Sequence, residues 1–161
     1  MAPEDLALVQ ALARALRAQG LRMATAESCT GGLIAAACTA LAGSSDWFER
    51  GFVTYSNAAK GELLGVPAAL LQVHGAVSEP VARAMAEGAL ARAPVQRAVA
   101  VTGIAGPGGA VPGKPVGTVW MALARPDGPT QATHLHLEGD RAAVRQATVR
   151  AALQMLLQSL G

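Results

Sequence analysis

The stretch from Leu21 to Leu41, LRMATAESCTGGLIAAACTAL, predicts a strand, a tight turn and a helix in direct succession. The strand covers Leu21 to Ala26, the turn covers Glu27 to Gly32, and the apolar run from Leu33 to Leu41 forms a buried helix. A strand that runs into Gly-Gly at a helix start can present backbone N–H groups to an anion. An ordinary tight turn with side-chain capping explains the same residues, and the eight-residue phosphate-loop pattern is absent.

The segments on either side of this unit continue the alternation of helices and strands. Helices are predicted over Pro3 to about Gln19, Asn57 to Leu64, Pro67 to Val73, from a cap at Ser78 to about Arg92, and from a cap at Asp140 to about Leu160. Strands are predicted over Gly51 to Ser56, Val95 to Thr102, Val116 to Ala124 and Ala132 to Glu138. Early alternation followed by two successive strands indicates an α/β fold, a three-layer α/β/α sandwich with a mixed, mostly parallel sheet. No linker or repeat interrupts the chain, so residues 1–161 are expected to form one domain.

The composition is that of a folded globular protein, with 52% hydrophobic and 15% charged residues. Lysine and arginine are scattered and the net charge is only +2, which argues against a nucleic-acid partner. No segment approaches the roughly 20 apolar residues of a membrane helix. The N-terminal segment also lacks the pattern of a secretion signal. We therefore expect a cytoplasmic protein with no membrane or nucleic-acid partner.

The cysteines and histidines do not indicate a disulfide or a metal site. Cys29 and Cys38 lie in or beside one predicted helix, roughly 13 Å apart, which is too far for a disulfide bond. Reduced thiols agree with a cytoplasmic location. His134 and His136 alternate on one strand, and His74 lies elsewhere, so no metal-binding set of ligands is apparent.

The stretch from Gly43 to Gly65, GSSDWFERGFVTYSNAAKGELLG, carries three side chains suited to hydrolysis. Ser45 lies in a loop, Tyr55 near a strand end, and Lys60 in the first turn or so of the following helix. A helix N-terminus and an apolar face both lower the pKa of a lysine. A neutral lysine beside a serine hydroxyl can activate that hydroxyl as a nucleophile. Alternatively, Lys60 extends to water, Tyr55 packs in the core and Ser45 caps a turn.

Two further segments could contact an anionic ligand. The loop from Thr102 to Gly109, TGIAGPGG, follows a predicted strand and would allow a ligand to approach the backbone closely. It does not contain the dinucleotide-binding pattern GxGxxG. Arg141 begins the final helix, where a cation is locally unfavourable but suits an anionic ligand, although a solvated arginine is an equally simple explanation.

Seven strings in the chain, taken together, are similar to one family. TAESCTGG, GSSDWFERGFVTYSNAAK, LLGV, HGAVSEPVA, TGIAGPGG, KPVGTVW and GDR resemble the C-terminal domain of the competence/damage-inducible CinA proteins, in its stand-alone form, the nicotinamide-nucleotide amidohydrolases. The strings run in family order and cover nearly the whole chain. The resemblance implies hydrolysis of the carboxamide of nicotinamide mononucleotide to nicotinate mononucleotide and ammonia, in pyridine nucleotide recycling. It also implies a homo-oligomer and no metal or organic cofactor.

The resemblance further implies roles for individual residues. Ser45 would be the nucleophile, Lys60 its base, and Tyr55 a proton relay or orienting group. The implied substrate-binding residues are Glu27, Ser28, Thr30, Gly31, Thr102, Gly103 and Arg141.

Three alternatives remain open from the sequence. Ser44 is easily confused with its neighbour Ser45. Cys29, near a helix start that would lower its pKa, is another possible nucleophile. The chain could also be a non-catalytic nucleotide-binding or regulatory module, which would bind a mononucleotide and release no ammonia.

Overall fold

A mixed sheet forms the centre of the fold, seen in a computed structural model that describes residues 1–161. Its five strands are β1 Met23–Glu27, β2 Phe48–Val53, β3 Arg97–Gly103, β4 Thr118–Ala124 and β5 Gln131–His136. Their spatial order is β2-β1-β3-β4-β5. β1 pairs in parallel with both β2 and β3, whereas β4 runs antiparallel to its neighbours β3 and β5. The expected mixed sheet is therefore confirmed.

Helices cover both faces of this sheet. They are α1 Pro3–Gln19, α2 Leu33–Thr39, α3 Asn57–Leu64, α4 Ala68–His74, α5 Glu79–Arg92 and α6 Arg141–Gln158, with a short 3-10 helix over Ser44–Asp46. Helices α1, α2 and α6 pack together on one face, while α5 lies on the other and carries α3 and α4 against it. The expected three layers are thus present. None of the helices is long and apolar enough to cross a membrane.

The two faces of the sheet have cores of different character. Under α1, α2 and α6 the buried residues are large, with Leu12, Leu16 and Trp47 among them. Under α5 the strands present mostly alanine, which brings this helix close to the sheet. An alanine-rich chain can bury its apolar surface in this way because small side chains permit short distances between elements. Both cysteines are buried and free, as expected.

Several predicted boundaries agree with the structure because local capping signals determine them. Helix α3 begins after Ser56, whose side chain accepts a hydrogen bond from the Ala59 N–H, and ends at Gly65, which has φ +69°. The side chain of Asp140 caps α6 in the same way by accepting from the Ala143 N–H. Ser78 differs from the prediction, since its hydroxyl donates to the Gly75 carbonyl and does not cap α5.

The predicted strand over residues 51–56 is displaced in the structure. β2 instead runs from Phe48 to Val53, directly after the fully buried Trp47. The chain leaves the sheet after Thr54, whose N–H donates to the Glu27 carbonyl at 2.8 Å. Tyr55 and Ser56 therefore belong to the connection into α3.

Gly88 allows α5 to approach α3 closely. A Cβ at this position would lie 2.0 Å from the Leu64 carbonyl oxygen, a distance that requires backbone movement. Alanine normally favours a helix over glycine by about 1 kcal/mol. We expect Gly88→Ala nevertheless to lower the free energy of unfolding by about 1–3 kcal/mol, because overpacking outweighs helix propensity. Urea denaturation measures this change.

Gly61→Ala in α3 is the matched control. Its Cβ would have the Val66 carbonyl oxygen as nearest neighbour, at an ordinary 3.7 Å. We expect this variant to be unchanged or stabilised by up to about 1 kcal/mol. Equal effects of the two substitutions would contradict the close-contact explanation.

Candidate active site

The buried amine of Lys60 lies where the ends of β1 and β2 meet. Lys60 is 1% exposed. Its Nζ lies 3.0 Å from Ser28 Oγ, 3.1 Å from the Thr54 carbonyl oxygen and 3.2 Å from the Tyr55 carbonyl oxygen. No carboxylate forms an ion pair with it. The hydrogen-bond partners of the amine are therefore all neutral groups.

These surroundings favour the neutral form of the amine. Burial lowers the pKa of Lys60, since the charged form loses its hydration without gaining a counter-ion. A neutral amine keeps two N–H groups, which match the two carbonyl oxygens of Thr54 and Tyr55. Its lone pair is then available to accept the Ser28 hydroxyl proton. Ser28 and Lys60 thus have the geometry of a nucleophile and its base.

Parallel pairing brings this serine and this lysine together. β1 and β2 are in register with Glu27 opposite Val53. The residues that follow the two strands, Ser28 and Thr54, therefore emerge side by side, and α3 then carries Lys60 back toward them. Ser28 was expected among the substrate-binding residues, and its contact with Lys60 was not predicted. The position just after a parallel strand was the signal that could have identified it.

The structure does not bring Ser45, the expected nucleophile, into contact with Lys60, whose amine contacts Ser28, Thr54 and Tyr55 instead. Ser45 is exposed in the 3-10 helix that precedes β2, whereas Lys60 contacts residues that follow β2. The six residues of β2 separate the two ends, and a strand of that length spans roughly 20 Å. Ser44 lies in the same short helix and is likewise separated from Lys60 by the length of β2.

The Glu27 carboxylate holds the turn that contains Ser28. Its Oε1 accepts from Thr30 Oγ1 at 2.5 Å and from the Ile34 N–H at 2.9 Å, and its Oε2 accepts from the Ala35 N–H at 3.0 Å. An anion is favourable at the start of α2, where these N–H groups lie. The side chains of Glu27 and Thr30, both expected to contact substrate, are fully buried and engaged within the turn. Gly31, with φ +58°, is exposed at its tip.

Tyr55 and Arg141 form a pair at the edge of the site. The Tyr55 side chain is largely exposed, and its hydroxyl accepts from Arg141 Nη2 at 3.3 Å. Arg141 Nη1 also donates to the Gly106 carbonyl at 2.9 Å. Only the backbone carbonyl of Tyr55 contacts Lys60. The structure therefore places the Tyr55 hydroxyl beside an arginine and not beside the proposed base.

The end of β3 forms the floor beneath the Ser28 turn. Thr102 is buried, and its hydroxyl donates to the Ala76 carbonyl at 3.0 Å. A Cβ on Gly103 would lie 2.6 Å from Val119 Cγ2 and 3.2 Å from Cys29 Sγ, so the turn contacts the strand backbone directly. Thr102 and Gly103, both expected to bind substrate, thus shape the site from below.

Cys29 is poorly suited to the role of nucleophile. Burial raises the pKa of its thiol to about 11. The reactive thiolate is therefore scarce at neutral pH. The neighbouring Ser28 hydroxyl, in contrast, has a base in hydrogen-bond contact.

With this geometry established, comparison with known proteins identifies the family. The family model for the CinA C-terminal domain matches residues 5–160. The chain belongs to this family. A crystal structure of the competence/damage inducible protein CihA from Agrobacterium tumefaciens has a TM-score of 0.95 at 46% identity, covering 99% of this chain and 97% of that one.

Relatives of this CinA domain occur both within longer proteins and alone. A putative competence-damage inducible protein of Symbiobacterium thermophilum is 54% identical over 98% of this chain, but the match covers 39% of that protein. This chain thus spans about two fifths of the length of such relatives. The Escherichia coli protein named nicotinamide-nucleotide amidohydrolase PncC, a hydrolase, is 51% identical over 96% of this chain and 94% of its own length.

The lowered pKa of Lys60 should appear in the pH dependence of stability. Between its value in the folded protein and its ordinary value of 10.5, the unfolded chain binds more protons, so stability rises with pH. We expect the unfolding free energy of the native chain, minus that of Lys60→Met, to increase from neutral pH to about pH 10. Denaturant titrations at several pH values measure this difference, in which the other titrating groups cancel. A difference that does not change with pH would contradict the lowered pKa.

Proposed function

We propose that this chain hydrolyses the carboxamide of nicotinamide mononucleotide to nicotinate mononucleotide and ammonia. The observation that carries the chemistry is the 3.0 Å contact between the buried Lys60 amine, which pairs with no carboxylate, and the Ser28 hydroxyl. The substrate is supported by the name of the Escherichia coli relative, which this chain matches over 94% of that protein's length.

In the first step, Ser28 Oγ attacks the carboxamide carbon while neutral Lys60 takes the hydroxyl proton. The carbonyl oxygen becomes an oxyanion in a tetrahedral intermediate. The C–N bond then breaks, and the departing nitrogen takes a proton from the Lys60 ammonium to leave as ammonia. An ester between Ser28 and the nicotinoyl group remains, and Lys60 is neutral again.

In the second step, water hydrolyses this ester. Lys60 accepts a proton from the water as its oxygen attacks the ester carbon. When the intermediate collapses, Ser28 Oγ leaves and recovers a proton from Lys60. The product acid ionises and departs as nicotinate mononucleotide. Because each step uses the amine first as base and then as acid, a lowered pKa for Lys60 is an advantage throughout.

The substrate phosphate is assigned to Arg141. This guanidinium lines a surface cavity of about 520 Å³ together with Ala105, Pro107 and Val116, next to the start of α6. The Asp140 carboxylate already caps the N-terminus of α6, so the Arg141 guanidinium is the group that favours a phosphate here. Arg141 has no carboxylate partner and is held only by the Gly106 carbonyl and the Tyr55 hydroxyl. We assign Tyr55 to orienting Arg141, and the exposed backbone of Gly31 to the wall of the substrate site.

We also propose a compartment, a pathway, a partner and an oligomeric state for this protein. We place it in the cytoplasm, in pyridine nucleotide recycling, with nicotinamide mononucleotide as its partner and with neither nucleic acid nor membrane bound. Two free, buried cysteines support a reducing compartment. We also expect a homo-oligomer, in which apolar side chains exposed in the single chain, such as Val53, Leu63 and Val73, would become buried.

Replacement of the two candidate serines tests the assignment directly. Ser28→Ala should lower kcat for ammonia release from nicotinamide mononucleotide by at least about 10³-fold, because it removes the nucleophile. Ser45→Ala, an exposed substitution remote from Lys60, should leave kcat within about threefold. Loss of turnover in Ser45→Ala alone would restore the sequence-based assignment. Tight binding of the mononucleotide by the native chain without ammonia release would favour the non-catalytic module.

The pH profile tests Lys60 as the base. We expect kcat/KM to rise about tenfold per pH unit on the acid side of the Lys60 pKa and then to level off. Because burial lowers the pKa of Lys60, this acid limb, the rising part of the profile, occurs at a lower pH than it would for an ordinary lysine. The residual activity of Lys60→Ala should lack the limb. An identical limb in that variant would assign the titration to another group.

A further inference from the structure

Arg145 reaches from α6 to the turn that carries Ser28. Its Nε donates to the Cys29 carbonyl and its Nη2 to the Thr30 carbonyl, both at 3.2 Å. The side chain is half-buried and forms no ion pair with any carboxylate. Two of the three guanidinium nitrogens thus contact the two carbonyls that follow Ser28.

The contact determines the orientation of one peptide unit. In a trans peptide the C=O and the following N–H point in opposite directions. Because Arg145 holds the Cys29 carbonyl toward α6, the Thr30 N–H points away from that helix. The Thr30 N–H has no hydrogen-bond acceptor within the chain, whereas the Gly31 N–H donates to the Ser28 carbonyl and closes the turn.

Unpaired backbone N–H groups beside a nucleophile are suited to binding an oxyanion. They are effective when their direction is set before the reaction, so that nothing reorganises as charge develops. The Glu27 carboxylate fixes the turn on its α2 side through Thr30, Ile34 and Ala35. Arg145 fixes it on the α6 side. A cation bound to a peptide carbonyl also polarises the peptide and strengthens its N–H as a donor.

We propose that Arg145 is a positioning residue for amide hydrolysis, holding the Cys29–Thr30 peptide so that the Thr30 N–H receives the oxyanion. This inference rests on the function proposed above, because it takes Ser28 as the nucleophile. Arg145 touches neither substrate nor the reacting atoms and acts through the peptide that it binds.

The test compares the native chain with Arg145→Ala, Arg145→Met and Arg150→Ala. Arg150 is the matched control, since it lies on the same helix but pairs with Asp5 and Glu4 of α1, away from the site. For each protein we would measure kcat and KM, the affinity for nicotinate mononucleotide, and the affinity for an analogue with boronic acid in place of the carboxamide. Such a boronate forms a tetrahedral adduct with a serine hydroxyl and reports on oxyanion binding.

We expect Arg145→Ala to lower kcat by about 10- to 100-fold, less than the loss of a direct oxyanion donor. Boronate affinity should fall by a similar factor, while KM and product affinity stay within about threefold. Added guanidinium should restore part of kcat in this variant. Arg150→Ala should retain kcat within about twofold. Unchanged kcat in Arg145→Ala would overturn the proposal, as would an equal loss of product and boronate affinity.

Two additional measurements keep the result decisive. If Arg145→Ala fails to fold, Arg145→Met decides, because methionine is long and unbranched and has no donor for the two carbonyls; a folded Arg145→Met with native kcat would overturn the proposal. Acylation of Ser28 by p-nitrophenyl acetate, followed by release of p-nitrophenolate, reports on the oxyanion site without the nucleotide. Slower acylation in Arg145→Ala, in a chain that releases no ammonia from the mononucleotide, would reject the substrate and retain the role of Arg145.

Discussion

The amine of Lys60 imposes the strongest constraint on this fold. Removing an ammonium group from water costs several kcal/mol unless a counter-ion compensates for it. Here no counter-ion is present, and the amine contacts only a hydroxyl and two backbone carbonyls, so burial lowers its pKa and favours the neutral form. The surrounding structure must therefore hold these three oxygens in place. The strands whose ends supply them are packed between the large core under α1, α2 and α6 and the alanine-rich core under α5.

Strand direction explains how distant residues meet around that amine. Parallel strands deliver their carboxyl ends to one edge of the sheet, where α/β proteins place their ligand sites. Ser28 follows β1, Thr54 and Tyr55 follow β2, and Gly103 ends β3 beneath them. The arginines of α6 approach the same edge from the other side, with Arg141 beside Tyr55 and Arg145 beside Cys29 and Thr30.

Local sequence signals were sufficient to predict most of the helices and strands. The site was harder to predict, because its contacts join residues that are far apart in the sequence. Caps at Ser56 and Asp140 defined α3 and α6, and the early alternation of elements indicated the layered sheet. The serine that contacts Lys60 was not predicted because β2 begins at Phe48, so that Ser45 precedes this strand and lies at its opposite end from Thr54 and Tyr55. The contact of Lys60 with Ser28 joins residues 32 positions apart, and that of Arg141 with Tyr55 joins residues 86 apart. Neither spacing has a periodicity that a single sequence reveals.

The first turn of α6 has a consequence for how this sequence can change over time. Arg141 and Arg145 are four residues apart and so lie on one side of the helix, from which they address two different loops. An insertion or deletion of one residue between them would rotate one arginine by about 100° relative to the other. Length variation among descendants of this chain should therefore accumulate in the exposed loop over residues 107–113 and be excluded from this turn.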